Sequence, residues 1–237
     1  MNASLLADIR TELLSHSDEK TRDGSRRFFR EPITCHGVPT PVVRRIAGTY
    51  FRQLRSAGKE EVFALCEELF RSDYCEEAFI AADWAYRLRA RYEPGDISIF
   101  RAWIERYVNN WAKCDTLCNH AVGAFIEQFP GCIADLKEWA RSENRWMRRA
   151  AAVSLVLPAR NGLFLGDILE IADLLLHDGD DLVQKGYGWM LKEASKAHQE
   201  EVFEYVMAHR KDMPRTALRY AIEKMPGELR DQAMGRR

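Results

Sequence analysis

No stretch of this chain is apolar for the roughly 18 to 20 residues that a membrane-crossing helix needs; the longest clean run is Ala150 to Leu157. The beginning of the chain also lacks the basic-then-apolar plan of a secretory leader, because Asp8, Arg10 and Glu12 punctuate an amphipathic pattern. These two absences lead us to expect a cytoplasmic protein with no membrane partner. Cysteine occurs six times, at 35, 66, 75, 114, 118 and 132, but never as a CxxC unit and never with a His-x-x-x-His partner. Those are the spacings that zinc sites use, so no metal is expected. Cys114 and Cys118, one helical turn apart, read as packed, reduced thiols.

Alternating strand patterns are nearly absent as well. Glycine and proline gather in short junctions, among them Gly37 to Pro41, Pro94-Gly95, Pro130-Gly131 and Pro158 to Gly166. Between the junctions run segments of about 12 to 20 residues with apolar spacing near 3.6, which predicts an all-α protein. The 237 residues, 46% hydrophobic and 30% charged, suit one large folded domain over residues 1–237, with a monomer as the default state.

A strong net charge is missing too. The formal value is −1, which excludes indiscriminate binding to nucleic acid, but the charges are unevenly spread. Lys20 to Arg55 holds nine Lys or Arg against two acids, and Lys137 to Arg149 holds five against two. Lys59 to Glu77 holds seven acids against two bases, and Asp167 to Asp181 six acids with no Lys or Arg. Two readings fit: one basic face on a neutral molecule, with the acidic segments turned away from it, or chance clustering on solvated helix faces.

The helical segments resemble one another faintly. Aligning Ser142–Val153 with Asp178–Trp189 sets Arg149 beside Lys185 and Ala150 beside Gly186; His209–Tyr220 continues the columns with Thr216 and Ala217. The offsets, 36 and 31 residues, suit a stack of HEAT-like helical hairpins with a small residue where helices cross. An irregular helical bundle is the competing reading.

Three segments carry residues in unexpected places. Trp111 to Phe129 reads as one helix, capped by Asn109 or Asn110, with Trp111, Cys118, Val122, Phe125 and Phe129 as its apolar stripe. Asp115, at i+4 from Trp111, falls on that stripe, where a carboxylate is costly unless it is compensated or acts as a cap itself. In Asp181 to Lys196 the stripe is Val183, Tyr187, Met190, Leu191 and Ala194. Trp189 lies about 140° from it, beside Lys185, Glu193 and Lys196, facing either a neighbouring repeat or a ligand. Asn144 to Leu157 opens with a cap and sets Arg145, Arg148 and Arg149 on one flank. Such a flank offers fork-like donors to phosphate, or partners for acids across a repeat interface.

Taken together, WAKCD at Trp111–Asp115, NRWMRRAA at Asn144–Ala151 and VQKGYGW at Val183–Trp189 resemble the blocks of the AlkD family of DNA alkylation repair glycosylases. GVPTP at Gly37–Pro41 is similar to that family's loop into a DNA-facing helix. The resemblance covers nearly the whole chain. It implies a curved superhelical stack of HEAT-like repeats whose concave face holds duplex DNA. It also implies hydrolysis of the N-glycosidic bond of cationic N3- and N7-alkylpurines, with no cofactor and without flipping of the base. By matching positions, Asp115 is the implied catalytic carboxylate and Trp111 and Trp189 the aromatic walls against the sugar. Arg149 is implied as a phosphate contact, with Arg145, Arg148, Lys185, Thr40 and Phe28 as further DNA-binding residues. Phe28 stands where the family often has tyrosine and Pro39 where a polar residue is common.

The chemistry fits that set. Alkylation at N3 or N7 leaves the purine positively charged, so it departs without a general acid, and the difficulty is the cation that develops on the sugar. A carboxylate stabilises that cation and positions water, and indole faces attract it increasingly toward the transition state. The alternative is a non-catalytic HEAT-repeat scaffold for DNA or protein, since the fold by itself does not give function.

Overall fold

The structure is a computed structural model that describes residues 2–235. It is all-α, as expected; an isolated bridge between Thr34 and Tyr74 is the only β pairing among the described residues. The helices are α1 (Asn2–Ser15), α2 (Glu19–Phe28), α3 (Thr40–Phe51), α4 (Lys59–Arg71), α5 (Cys75–Arg87), α6 (Asp96–Tyr107), α7 (Trp111–Leu117) and α8 (Gly123–Gln128). There follow α9 (Ile133–Trp139), α10 (Arg145–Val153), α11 (Val156–Arg160), α12 (Leu165–Leu175), α13 (Asp181–Ala194), α14 (Gln199–His209), α15 (Arg215–Ala221) and α16 (Gly227–Met234). A π-helical turn, Cys118–Val122, separates α7 from α8.

The contacts fall into two compact units. The first comprises Met1–Glu93 with Arg106–Leu117, and the second Pro94–Glu105 with Cys118–Arg237. In the first, α5 packs against α3, α4 and α7, and Ile46, Val62, Cys66, Leu69, Ile80 and Trp84 are fully enclosed. Burying side chains of this size stabilises a fold by about 1.5 to 3 kcal/mol each. The Trp84 indole does so without orphaning its N–H, which donates to the Ala47 carbonyl at 2.9 Å.

The loop before α3 is fixed by one buried carboxylate. Glu76 accepts from the backbone N–H of His36, Gly37 and Val38 at 2.9, 2.8 and 3.1 Å. Gly37 has φ +85, and a Cβ there would stand 2.6 Å from the Asp18 carbonyl oxygen, so only glycine fits. Arg22 and Ser17 donate to the His36 carbonyl from the other side.

In the second unit α13 is central, packing against α10, α11, α12 and α15. The column of small residues read from the sequence is here: Ala150 and Ala217 are fully buried, and Gly186 lies against the Arg149 side chain. The closest approach is two residues further on, where a Cβ on Gly188 would meet Tyr220 Cβ at 2.7 Å and the Ala217 carbonyl oxygen at 2.8 Å.

Two readings of helix extent are corrected. Trp111 to Phe129 is not one regular helix, because the π turn inserts itself at Cys118; the extra residue per turn breaks a projection drawn at 3.6. The buried side of α7 is Ala112, Lys113, Cys114 and Leu117, while Trp111 and Asp115 are half-buried on its other flank. The helix read over Asn144 to Leu157 ends at Val153, with α11 beginning at Val156.

Candidate functional site

In the first unit the candidate residues gather on α7 and the helix before the loop. Asn110 caps α7 by accepting from the Lys113 N–H at 3.0 Å, which fixes where the helix begins and therefore which way Trp111 projects. Asp115 follows one turn later, at the i+4 spacing that sets two side chains on a common flank. Lys113, almost wholly buried at 1%, ties the same turn down from behind. Its ammonium reaches the Asp73 carboxylate at 2.6 Å and the Asp73 carbonyl at 2.8 Å. Asp73, with φ +68, also accepts from Asn109 at 2.7 Å and from Thr34 at 3.1 Å. Burial pushes its carboxyl up, but the bonds from Lys113, Asn109 and Thr34 prevail and hold it below the ordinary range.

Trp111 is one wall of an aromatic cluster. Phe29 stacks on it with centroids 5.2 Å apart and planes 19° from parallel, and Phe28 meets it edge-on at 5.7 Å. Phe28 is 71% exposed, a costly position for a phenyl ring that nothing in α2 requires, since none of that helix is buried. Beside it Arg26, Arg27 and Arg30 are exposed. Thr40 is exposed at the first position of α3, directly after the loop held by Glu76. The structure therefore brings Phe28 to Trp111, and adds Phe29, which the sequence reading passed over although the Phe28-Phe29 doublet was its signal.

In the second unit Arg145, Arg148, Arg149, Lys185 and Trp189 lie on the paired helices α10 and α13. Asn144 caps α10, accepting from the Trp146 N–H at 2.9 Å. Arg145 lies over the Trp146 ring at 4.8 Å and pairs with Asp180 at 2.8 Å. Arg148 pairs with Asp178 at 2.6 Å and donates to the carbonyls of Ser142 and Glu143. Arg149 is buried and donates to the Leu182 carbonyl. Lys185 pairs with Asp181 at 2.6 Å.

These pairs correct the expected segregation of charge. The acids of 167–181 do not lie apart from the bases of 137–149: Lys137 also meets Asp167 and Glu170, at 2.8 and 2.6 Å. The physical reason is the repeat itself. Its offset of about one hairpin brings residues some 30 to 35 positions apart face to face, so Arg145 finds Asp180 and Arg148 finds Asp178. The signal was present in the offset between aligned segments.

Trp189 is half-buried, off the apolar side of α13 as projected. Its indole N–H donates to Glu193 at 3.3 Å. Among the described residues no group of three or more His, Cys, Asp or Glu is arranged to hold a metal ion, and no helix is long and apolar enough to cross a membrane.

The comparisons with known proteins agree with this architecture. The family model described as "DNA alkylation repair enzyme" matches residues 9–225. A solved structure titled "Predicted DNA alkylation repair enzyme from Enterococcus faecalis" superposes with a TM-score of 0.79 at 16% identity, over 90% of this chain and 98% of that one. At that identity the likeness speaks for the fold. No protein with a curated description matches the chain.

Proposed function

This chain belongs to the DNA alkylation repair enzyme family, and from that premise we propose that it is a glycosylase releasing cationic N3- and N7-alkylated purines from duplex DNA. The observation that carries the proposal is the flank of α7, where Trp111 and Asp115 stand one turn apart, both accessible, with Trp111 backed by Phe29. A carboxylate and an aromatic face side by side suit a reaction whose difficulty is positive charge developing on a sugar. Asp115 stabilises that charge and holds the attacking water on the side away from the departing base, and the indole face adds attraction that grows toward the transition state.

The alkylated purine leaves as a neutral base, taking the electron pair of the glycosidic bond. Water then adds to the sugar carbon and gives up its proton to Asp115. Trp189, half-buried on α13, is a further aromatic contact for the substrate. Arg145, Arg148 and Lys185, each side chain partly exposed, bind phosphates in exchange with their acid partners. Arg149 is buried against Gly186 and bonded to the Leu182 carbonyl, so as a phosphate contact it must first give up that bond. Thr40 and Phe28 add DNA contacts on the first unit.

The test is release of methylated purines from alkylated duplex DNA by the wild type and by Asp115→Asn, which keeps size and removes charge. Excision falls at least ~10-fold, about 1.4 kcal/mol of transition-state stabilisation. Binding to undamaged duplex is unchanged or slightly tighter, because a negative charge near phosphate is gone. Spontaneous loss of the activated base sets a floor, so release does not stop. Equal single-turnover rates for the folded variant and wild type remove Asp115 from the mechanism and favour a non-catalytic DNA-binding scaffold.

A further inference from the structure

Glu193 is a buried carboxylate, 3% exposed, on α13 one turn beyond Trp189. One oxygen, Oε1, accepts the Trp189 indole N–H at 3.3 Å. The other, Oε2, is gripped by two cations, Arg160 Nε at 2.7 Å and Lys196 Nζ at 2.6 Å. Burial raises this carboxyl, but the bonds from Arg160 and Lys196 prevail and hold it below the ordinary range, so it is an anion at neutral pH.

The arrangement goes further than an ion pair between helices requires. Both cations grip a single oxygen, and the buried carboxylate turns its other oxygen to the indole. Trp189 needs such a partner because it lies off the apolar side of its helix, where packing alone does not choose among its rotamers. A hydrogen bond to an anion fixes the ring and, by drawing the N–H proton outward, leaves the π face more negative. A more negative face attracts a neighbouring cation more strongly.

We propose that Glu193 is a positioning residue for Trp189: held by Arg160 and Lys196, it orients the indole and enriches its face for the cationic sugar. The inference rests on the reading of Trp189 as a substrate contact. It makes Glu193, Arg160 and Lys196 a supporting layer whose removal lowers excision through Trp189 alone.

The experiment is a cycle of Glu193→Gln, Trp189→Phe and the double variant, measured by single-turnover excision from methylated duplex. It is read alongside the fluorescence anisotropy of Trp189, obtained as the difference between each protein and the same protein carrying Trp189→Phe. Glu193→Gln slows excision about 3- to 10-fold, leaves affinity for undamaged duplex unchanged and lowers the anisotropy. In the Trp189→Phe background, where no N–H remains, the same substitution has no further effect. Replacing Trp189 by naphthylalanine, which keeps a fused ring without the N–H and leaves Glu193 intact, slows excision to a similar extent and decides the matter should Glu193→Gln fold poorly. A wild-type rate in Glu193→Gln or in the naphthylalanine protein overturns the inference, as does an equal loss in both backgrounds, which would make Glu193 a brace between α11 and α13. If Trp189→Phe itself reacts at the wild-type rate, the reading of Trp189 fails, whereas the anisotropy still reports whether Glu193 holds the ring.

Discussion

Gly188→Ala adds a single methyl group at the most crowded glycine of the second unit. The new Cβ would stand 2.7 Å from Tyr220 Cβ, 2.8 Å from the Ala217 carbonyl oxygen and 3.2 Å from Ala217 Cα. Two of these atoms are backbone and the third is the root of a side chain, so no rotamer change relieves the clash. The helices α13 and α15 must part by something on the order of 0.5 Å, and overpacking of this kind costs about 1 to 3 kcal/mol. Alanine recovers about 1 kcal/mol of helix propensity over glycine, which leaves a net loss of about 1 kcal/mol.

Gly24→Ala, in the exposed α2, isolates the propensity gain, because nothing lies within 4 Å of its Cβ; it stabilises by about 0.5 to 1 kcal/mol. Urea unfolding followed by helical circular dichroism separates the two, with Gly188→Ala shifted below the wild-type midpoint and Gly24→Ala at or above it. Because Trp189 adjoins the shifted residue, Gly188→Ala also lowers excision by the folded protein. A Gly188→Ala midpoint equal to that of Gly24→Ala would refute the close crossing of α13 and α15.

Acid should weaken the fold in a defined window. Burial raises the carboxyls of Asp73, Glu77 and Glu193, but hydrogen bonds led by Lys113, His36 and Arg160 outweigh it and hold all three below their ordinary values of 3.8, 4.5 and 4.5. The unfolded chain then binds protons more readily than the folded one. Their stabilisation is complete above the ordinary carboxylate range and is lost as pH falls through the lowered values. Urea midpoints measured from pH 7 downward test this, and a midpoint unchanged below pH 3 would count against the pairs. The thiols should react in a fixed order: burial pushes Cys75 up to about 11 and raises Cys66 as well, whereas Cys132 alone is not buried. A thiol reagent at neutral pH therefore modifies Cys132 first and the other five only on unfolding; early labelling of Cys75 would contradict the enclosure of its turn.

Much of this was legible in the chain because it is local. The cap at Asn144, the helix beginning at Asp181 and the off-stripe position of Trp189 follow from spacing that a helix enforces within one or two turns. The flank of α7 was half legible: the i+4 relation of Trp111 and Asp115 held, but the stripe drawn through them did not. The π turn that interrupts the register has no propensity signature. Lys113 illustrates the other limit, since a lysine is read as solvent-facing until a partner such as Asp73, 40 positions away, makes its burial tolerable. The pairing of Arg145 and Arg148 with Asp180 and Asp178 was hidden by counting charge along the chain instead of across the repeat.

The loop at residues 36–38 has a bearing on DNA binding through what it withholds. Three successive backbone N–H groups converging on one point form a nest of the sort that captures phosphate, and it stands immediately before Thr40 on a proposed DNA-facing helix. Glu76 fills it from within, so the chain carries its own competitor for that seat. On the proposed reading, a backbone phosphate near Thr40 finds that seat already taken, and its contacts fall to exposed side chains such as Thr40 itself.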